Sequence, residues 1–177
     1  MPPSLNRERF SNLKIPLVGE NLPAGNLPEL LEKVPYLWLQ FLRHLGCIYC
    51  KGLVEEIRNF LDRWTGKTKP TLIFVHPNTL EEGREFFAKF YPNAAHIADP
   101  ELRLYRLFEV KRLFLPFQVS LRDVLRFWKL WQKGLRNEKP SGDALVLHAS
   151  FLFYKGELVW SYYAKRLSDV PDWRRIP

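Results

Sequence analysis

The chain has 177 residues, of which 46% are apolar, 15% aromatic and 26% charged, a composition that excludes disorder as its main state and fits one compact domain. A chain of this length buries about 70% of the surface its unfolded form exposes, so it needs neither disulfide staples nor a structural metal to fold. Twenty-seven Lys and Arg against nineteen Asp and Glu leave a formal charge of +8, but the charges are scattered and form no long basic block, so nucleic acid is not expected as a partner.

No run of roughly 18 apolar residues occurs, which excludes a membrane-spanning helix, and no membrane partner is expected. The opening Met1-Pro2-Pro3-Ser4-Leu5-Asn6-Arg7 lacks the charged and apolar regions of a secretory signal, so the expected location is cytoplasmic, with reduced thiols. Residues 1–25 mix proline, glycine and asparagine around a short apolar piece, Ile15-Pro16-Leu17-Val18, and read as an N-terminal extended arm; residues 26–177 read as the domain. Asn26 is a candidate N-cap, with Pro28 in the first turn and Leu27, Leu30, Leu31 and Val34 at helical spacing.

Residues 36–42 are apolar on both faces and suit a strand buried on both sides. From Cys47, the apolar residues Leu53, Val54, Ile57, Phe60, Leu61 and Trp64 recur at helical spacing until Gly66 ends the helix. Residues 71–75 form a second two-faced strand, and residues 80–90 a helix with Glu81 and Glu82 favourable in its first turn. A strand over 94–98 and a short helix over 101–108 follow. Strand and helix alternate throughout, which predicts a parallel β-α-β core.

Residues 119–133 then form an amphipathic helix with Ser120 as N-cap and Leu121, Val124, Leu125, Trp128 and Trp131 on one side. Its interleaved Arg126-Phe127-Trp128-Lys129-Leu130-Trp131 suggests a base-stacking platform, but the helical period assigns these aromatics to the core, and Tyr162 and Tyr163 are likewise expected to pack. Residues 137–143 read as a loop, and the strands 144–154 and 158–164 as a hairpin turning at Lys155-Gly156. A last short helix follows Asp169 or Asp172.

Cys47-Ile48-Tyr49-Cys50 carries the chemistry. A C-x-x-C serves zinc knuckles, haem attachment and dithiol redox centres alike. Haem attachment needs a histidine where Lys51 stands, and a zinc site needs two further ligands that the spacing of His44, His76, His96 and His148 does not signal. The pair sits where a buried strand ends and a helix begins, where unpaired N–H groups stabilise a thiolate, and Arg43, His44 and Lys51 add positive charge. Cys47 is then the nucleophile and Cys50, one turn further, the resolving thiol. The competing reading makes both cysteines small buried apolar residues.

Three blocks resemble the AhpC/TSA-type peroxiredoxin-like family of the thioredoxin superfamily, the group that includes the selenoprotein U-like proteins. They are Arg43-His44-Leu45-Gly46-Cys47-Ile48-Tyr49-Cys50-Lys51, Asp99-Pro100 with Leu102 to Arg106, and Gly142-Asp143 with the strands around Phe151-Leu152-Phe153 and Leu158-Val159-Trp160. The resemblance covers residues 26–175 and implies a thioredoxin-like α/β fold, a central mixed β-sheet flanked by helices. It also implies a redox function that reduces a peroxide or disulfide substrate and draws on an external thiol reductant of thioredoxin or glutathione type, with no cofactor.

The catalytic candidates are Cys47, Cys50, Arg43 and His148; His148-Ala149 stands where this family often has Gly-Gly at a strand start, so His148 reads either as a thiolate partner or as a core filler. His44 occupies the place where typical peroxiredoxins carry Thr or Ser, which points to disulfide exchange ahead of hydrogen peroxide. The apolar stretch Arg112 to Phe117 reads as a cover for the site or a contact with another chain. The alternative is a non-catalytic thioredoxin-fold binding module with a basic, aromatic surface.

Overall fold

The computed structural model describes residue 10, residues 15–113 and residues 120–177. Six strands, β1 (Val18–Glu20), β2 (Tyr36–Phe41), β3 (Thr71–His76), β4 (Ala95–Ala98), β5 (Ala149–Tyr154) and β6 (Glu157–Tyr163), form one sheet in the order β1-β4-β3-β2-β5-β6. β2, β3 and β4 run parallel, joined by crossover helices, while β1, β5 and β6 pair antiparallel. The sheet is therefore mixed and flanked by helices, the thioredoxin-like α/β arrangement. The helices are α1 (Leu27–Lys33), α2 (Ile48–Asp62), α3 (Leu80–Phe90), α4 (Arg103–Leu107) and α5 (Leu121–Gln132), and Trp173–Arg175 is a 3-10 turn.

β2 is buried along its whole length because it lies between two strands and two helical layers. Its alternation sends Leu37, Leu39 and Phe41 into a core shared with α1, α4 and Phe10, and Tyr36, Trp38 and Leu42 into a second core under α2 and α3. Phe10 stacks on Phe108 with ring centroids 5.1 Å apart, and Val18–Glu20 joins the sheet edge, so parts of the segment expected as an arm contribute to the core and the sheet.

Two expectations are corrected. The hairpin's first strand begins at Ala149 instead of residue 144, because the chain over 144–147 turns its carbonyls and amides toward Arg43, Lys111 and Leu113 and leaves the ladder. On α5, Leu130 is buried, but Leu121, Val124, Leu125, Trp128 and Trp131 face solvent. The helix seats on α2 through a narrow seam in which Leu130 packs so close to Gly52 that a Cβ there would lie 2.6 Å from it, while Asp123 is buried by Ser120 and Ser168. Of the apolar segment 112–117, Arg112 bridges Val146 and Leu113 is buried; residues 114–117 lie outside the described residues.

The same apolar letter therefore has different weights on two helices. Ile57→Ala, at a site with no exposure, should cost about 2–5 kcal/mol through lost burial and a cavity. Leu125→Ala, more than half exposed, should stay within about 0.5 kcal/mol. Urea unfolding of the two variants checks the contrast.

Candidate redox site

The site forms where β2 ends. Leu42 donates its N–H to Val75 O, the turn over residues 43–46 closes with Cys47 N–H on His44 O, and α2 begins at Ile48. Cys47 is the N-cap of α2, the position at which Ser, Asp or Asn normally supplies an oxygen; its sulfur makes no capping hydrogen bond there, but the Tyr49 and Cys50 N–H groups of the first turn favour its thiolate. Cys50 lies one turn on, and both thiols are free and buried, with 3% and 1% of their surface exposed.

Arg43 is brought directly onto the sulfur. Its Nη1 donates to Cys47 Sγ at 3.1 Å, while Nε and Nη2 donate to Val146 O and Ala144 O at 3.2 and 2.7 Å. The two carbonyl contacts fix the guanidinium plane, so its charge is aimed at the thiol. The Cys47 thiol is lowered to about 6, first by a hydrogen bond from the Cys50 thiol, against the opposing effect of burial, then by the Arg43 charge and the Cys50 and Tyr49 N–H groups. Burial pushes Cys50 well above the usual thiol range, and its bond to Cys47 adds to this. One thiol is thus poised as thiolate and its neighbour as a proton-bearing donor.

The other two basic residues expected to charge the site do not. His44 is buried and its pKa falls to about 4, from desolvation and then from Arg43 and Lys51, so it is neutral at pH 7. Lys51 is buried with Nζ on Arg136 O at 2.9 Å and Glu138 Oε1 at 2.6 Å, so its charge is matched locally. His148 does not join Cys47 in the contacts described. Its ring bonds the Asp169 backbone and leans on Tyr162 with centroids 6.1 Å apart, and burial lowers it to about 4, leaving Nε2 without a partner. The structure joins Arg43, Cys47 and Cys50; among the described contacts no hydrogen bond links His148 to them, although the Arg43 charge helps to keep it neutral.

Residues not singled out from sequence hold the first turn in place. Asn137 Oδ1 accepts the Ile48 N–H at 2.8 Å, and Glu138 N–H donates to Gly46 O at 2.9 Å, so residues 136–139 strap the N-terminus of α2. Gly46 permits this, since a Cβ there would lie 2.9 Å from Lys139 O and 3.0 Å from Glu138 O. Asn78 Oδ1 accepts the Leu45 N–H at 3.1 Å and its Nδ2 donates to Ser141 Oγ at 2.6 Å, joining strap and turn. The Asp99-Pro100 block serves the scaffold: the Asp99 carboxylate accepts N–H groups of Arg103, Leu104 and Tyr105, and Tyr105 OH donates to Leu42 O and Val75 O beneath the site. No local signal marks Asn137 or Asn78, whose partners lie 89 and 33 residues away.

The chain matches no protein-family profile and no curated protein sequence. Solved structures resemble it. A thiol peroxidase from Chromobacterium violaceum is similar over 90% of this chain and 78% of that one, with TM-score 0.60 and 15% identity. PrxQ from Xylella fastidiosa is similar over 91% and 83%, with TM-score 0.57 and 18% identity. A candidate thiol:disulfide interchange protein DsbE from Chlorobium tepidum is similar over 85% and 82%, with TM-score 0.50 and 14% identity. Likeness at these identities establishes the fold alone, a thioredoxin-like α/β fold.

Two measurements test the geometry. The rate of Cys47 alkylation should rise with pH through a midpoint near 6 and level off above it, since only the thiolate reacts. Arg43→Met should move that midpoint upward by about one to two pH units, and an unchanged midpoint would remove Arg43 from the site. Losing a side-chain cap costs about 1 kcal/mol, so Asn137→Ala should raise the open population, and with it the alkylation rate, about fivefold.

Proposed function

We propose that the chain is a thiol–disulfide redox protein in which Cys47 attacks a disulfide or peroxide and Cys50 resolves the product. The Arg43 Nη1 contact with Cys47 Sγ, at the N-cap of α2, is the observation that supports it most. With a disulfide, the Cys47 thiolate displaces one sulfur as a thiolate and forms a mixed disulfide. Cys50 then loses its proton to the departing group, attacks Cys47 and expels the second sulfur. The dithiol gives up two electrons and closes the Cys47–Cys50 bond; an external thiol restores it by the reverse exchange. With a peroxide, the Cys47 thiolate takes the terminal oxygen as the O–O bond breaks and the remainder leaves as an alcohol or water; the resulting sulfenic acid condenses with Cys50 to the same disulfide and releases water.

Disulfide exchange is the favoured chemistry. It requires a thiolate, access and a leaving group, whereas a peroxide must also be oriented, and neutral His44 stands where a typical peroxiredoxin carries the orienting hydroxyl. Catalysis is assigned to Cys47, Cys50 and Arg43; His148 stays a buried neutral residue supporting the entry to β5. The finer assignment, to the AhpC/TSA-type selenoprotein U-like group, rests on the sequence blocks, as does the division into an arm over 1–25 and a thioredoxin-like domain over 26–177. A cytoplasmic location, where thiols are kept reduced, fits this reading. A second reading, a non-catalytic binding module, draws support from the near-complete burial of both sulfurs.

Cys50→Ser keeps a hydroxyl donor beside Cys47, so it should retain a reactive thiol and accumulate mixed disulfides, while Cys47→Ser should be inert. Mass spectrometry after mild oxidation should find one Cys47–Cys50 bond within a single chain. In stopped flow, the reduced protein should react with a small disulfide faster than with hydrogen peroxide at equal concentration. A thiol that neither oxidant touches would favour the binding module.

A further inference from the structure

Among the described residues, nine large apolar side chains are exposed, and five of them lie on α5. Leu121 is 74% exposed, Val124 53%, Leu125 56%, Trp128 56% and Trp131 42%. They form one face, and the Trp128 and Trp131 rings stack on it with centroids 5.5 Å apart. The exposed charges that follow the helix are all positive: Arg122, Lys129 and Lys133 recur at two-turn and one-turn intervals along one flank, and Arg136 lies over the Trp131 ring at 4.5 Å. Arg126 is matched by Glu56. The helix's one acid, Asp123, is buried in its cap, and nearby Asp169 turns its carboxylate onto the Lys165 and Arg166 N–H groups.

We propose that the outward face of α5 docks on an anionic lipid bilayer. An apolar stripe bordered by a row of cations, with tryptophan at the boundary, is the pattern of a helix lying in the headgroup region. A second copy of the chain is disfavoured, since antiparallel two-fold pairing of this face would bring the two basic flanks together, with no exposed acid on the helix to offset them. The contact is peripheral, because no helix among the described residues is long and apolar enough to cross a membrane. It revises the expectation of no membrane partner, which rested on the lack of an apolar run long enough to span a bilayer. The inner side of α5 holds α2 through Tyr49 OH on Asp123 O at 2.9 Å, so docking would bring the first turn of α2 near the bilayer.

The test is co-sedimentation of the reduced full chain with phosphatidylcholine vesicles, with or without phosphatidylglycerol, at low and high salt. The intact protein should sediment with the anionic vesicles alone, and less so at high salt. Leu125→Gln with Trp128→Gln should weaken this binding about tenfold or more, from lost apolar burial. Lys129→Glu should weaken it several-fold, and Lys69→Glu, an equal charge change on the distant loop before β3, should have little effect. Thermal unfolding and Cys47 alkylation of the double variant should match the intact protein. No binding to anionic vesicles, equal losses from Lys129→Glu and Lys69→Glu, or unchanged binding in the double variant would each overturn the proposal. So would a dimer in ultracentrifugation that the double variant abolishes without any vesicle binding, which would assign the face to a second copy.

Discussion

The guanidinium of Arg43 ties the turn after β2 to the chain that enters β5. Two of its nitrogens hold the carbonyls of Ala144 and Val146, and the third reaches Cys47 Sγ. That geometry depends on β5 lying beside β2, so that the chain entering β5 passes the end of β2. A buried guanidinium is costly unless every face of it is satisfied, and a buried thiolate is equally costly without a cation. Each resolves the other's problem, which makes the pair a constraint on the fold as well as a chemical device.

The surrounding contacts stiffen this arrangement from below and from the side. Tyr105 bonds the carbonyls at the ends of β2 and β3, and Asp99 holds α4 so that Tyr105 reaches them. From the side, the strap over 136–139 lies on Gly46, caps Ile48 and pairs Glu138 with the buried Lys51. The cost of this order is access. A thiol only 3% exposed meets a substrate sulfur only when the strap or the first turn of α2 moves, and Glu138, 61% exposed in its side chain, is an accessible anchor of the strap.

α5 divides two properties that its sequence pattern cannot separate. Amphipathicity places the apolar residues on one side; whether that side faces the protein is decided by what the neighbouring element offers. α2 offers Gly52 and the Tyr49 hydroxyl, so α5 seats on it through Leu130, Phe127 and the Asp123 carbonyl, with its broad stripe outward. An apolar stripe on a basic helix left facing solvent is a surface with a use.

By itself the sequence determined the elements and their order: the two-faced strand at residues 36–42, the period of α2, the capping signals of α1 and α5, and the Cys47–Cys50 pair at a strand-to-helix junction. These follow from nearest-neighbour physics, since side-chain period, cap chemistry and turn residues act within a few positions. Tertiary structure alone decided which charges reach the sulfur. Arg43, His44 and Lys51 are alike as letters near a cysteine, yet one bonds Sγ, one is neutralised by burial and one is matched by Glu138. It also decided that His148 belongs to Asp169 and Tyr162, that Asn137 caps a helix 89 residues away, and that the stripe of α5 faces outward. Desolvation and long-range pairing depend on what the whole chain places around a group, and no local window of sequence holds that information.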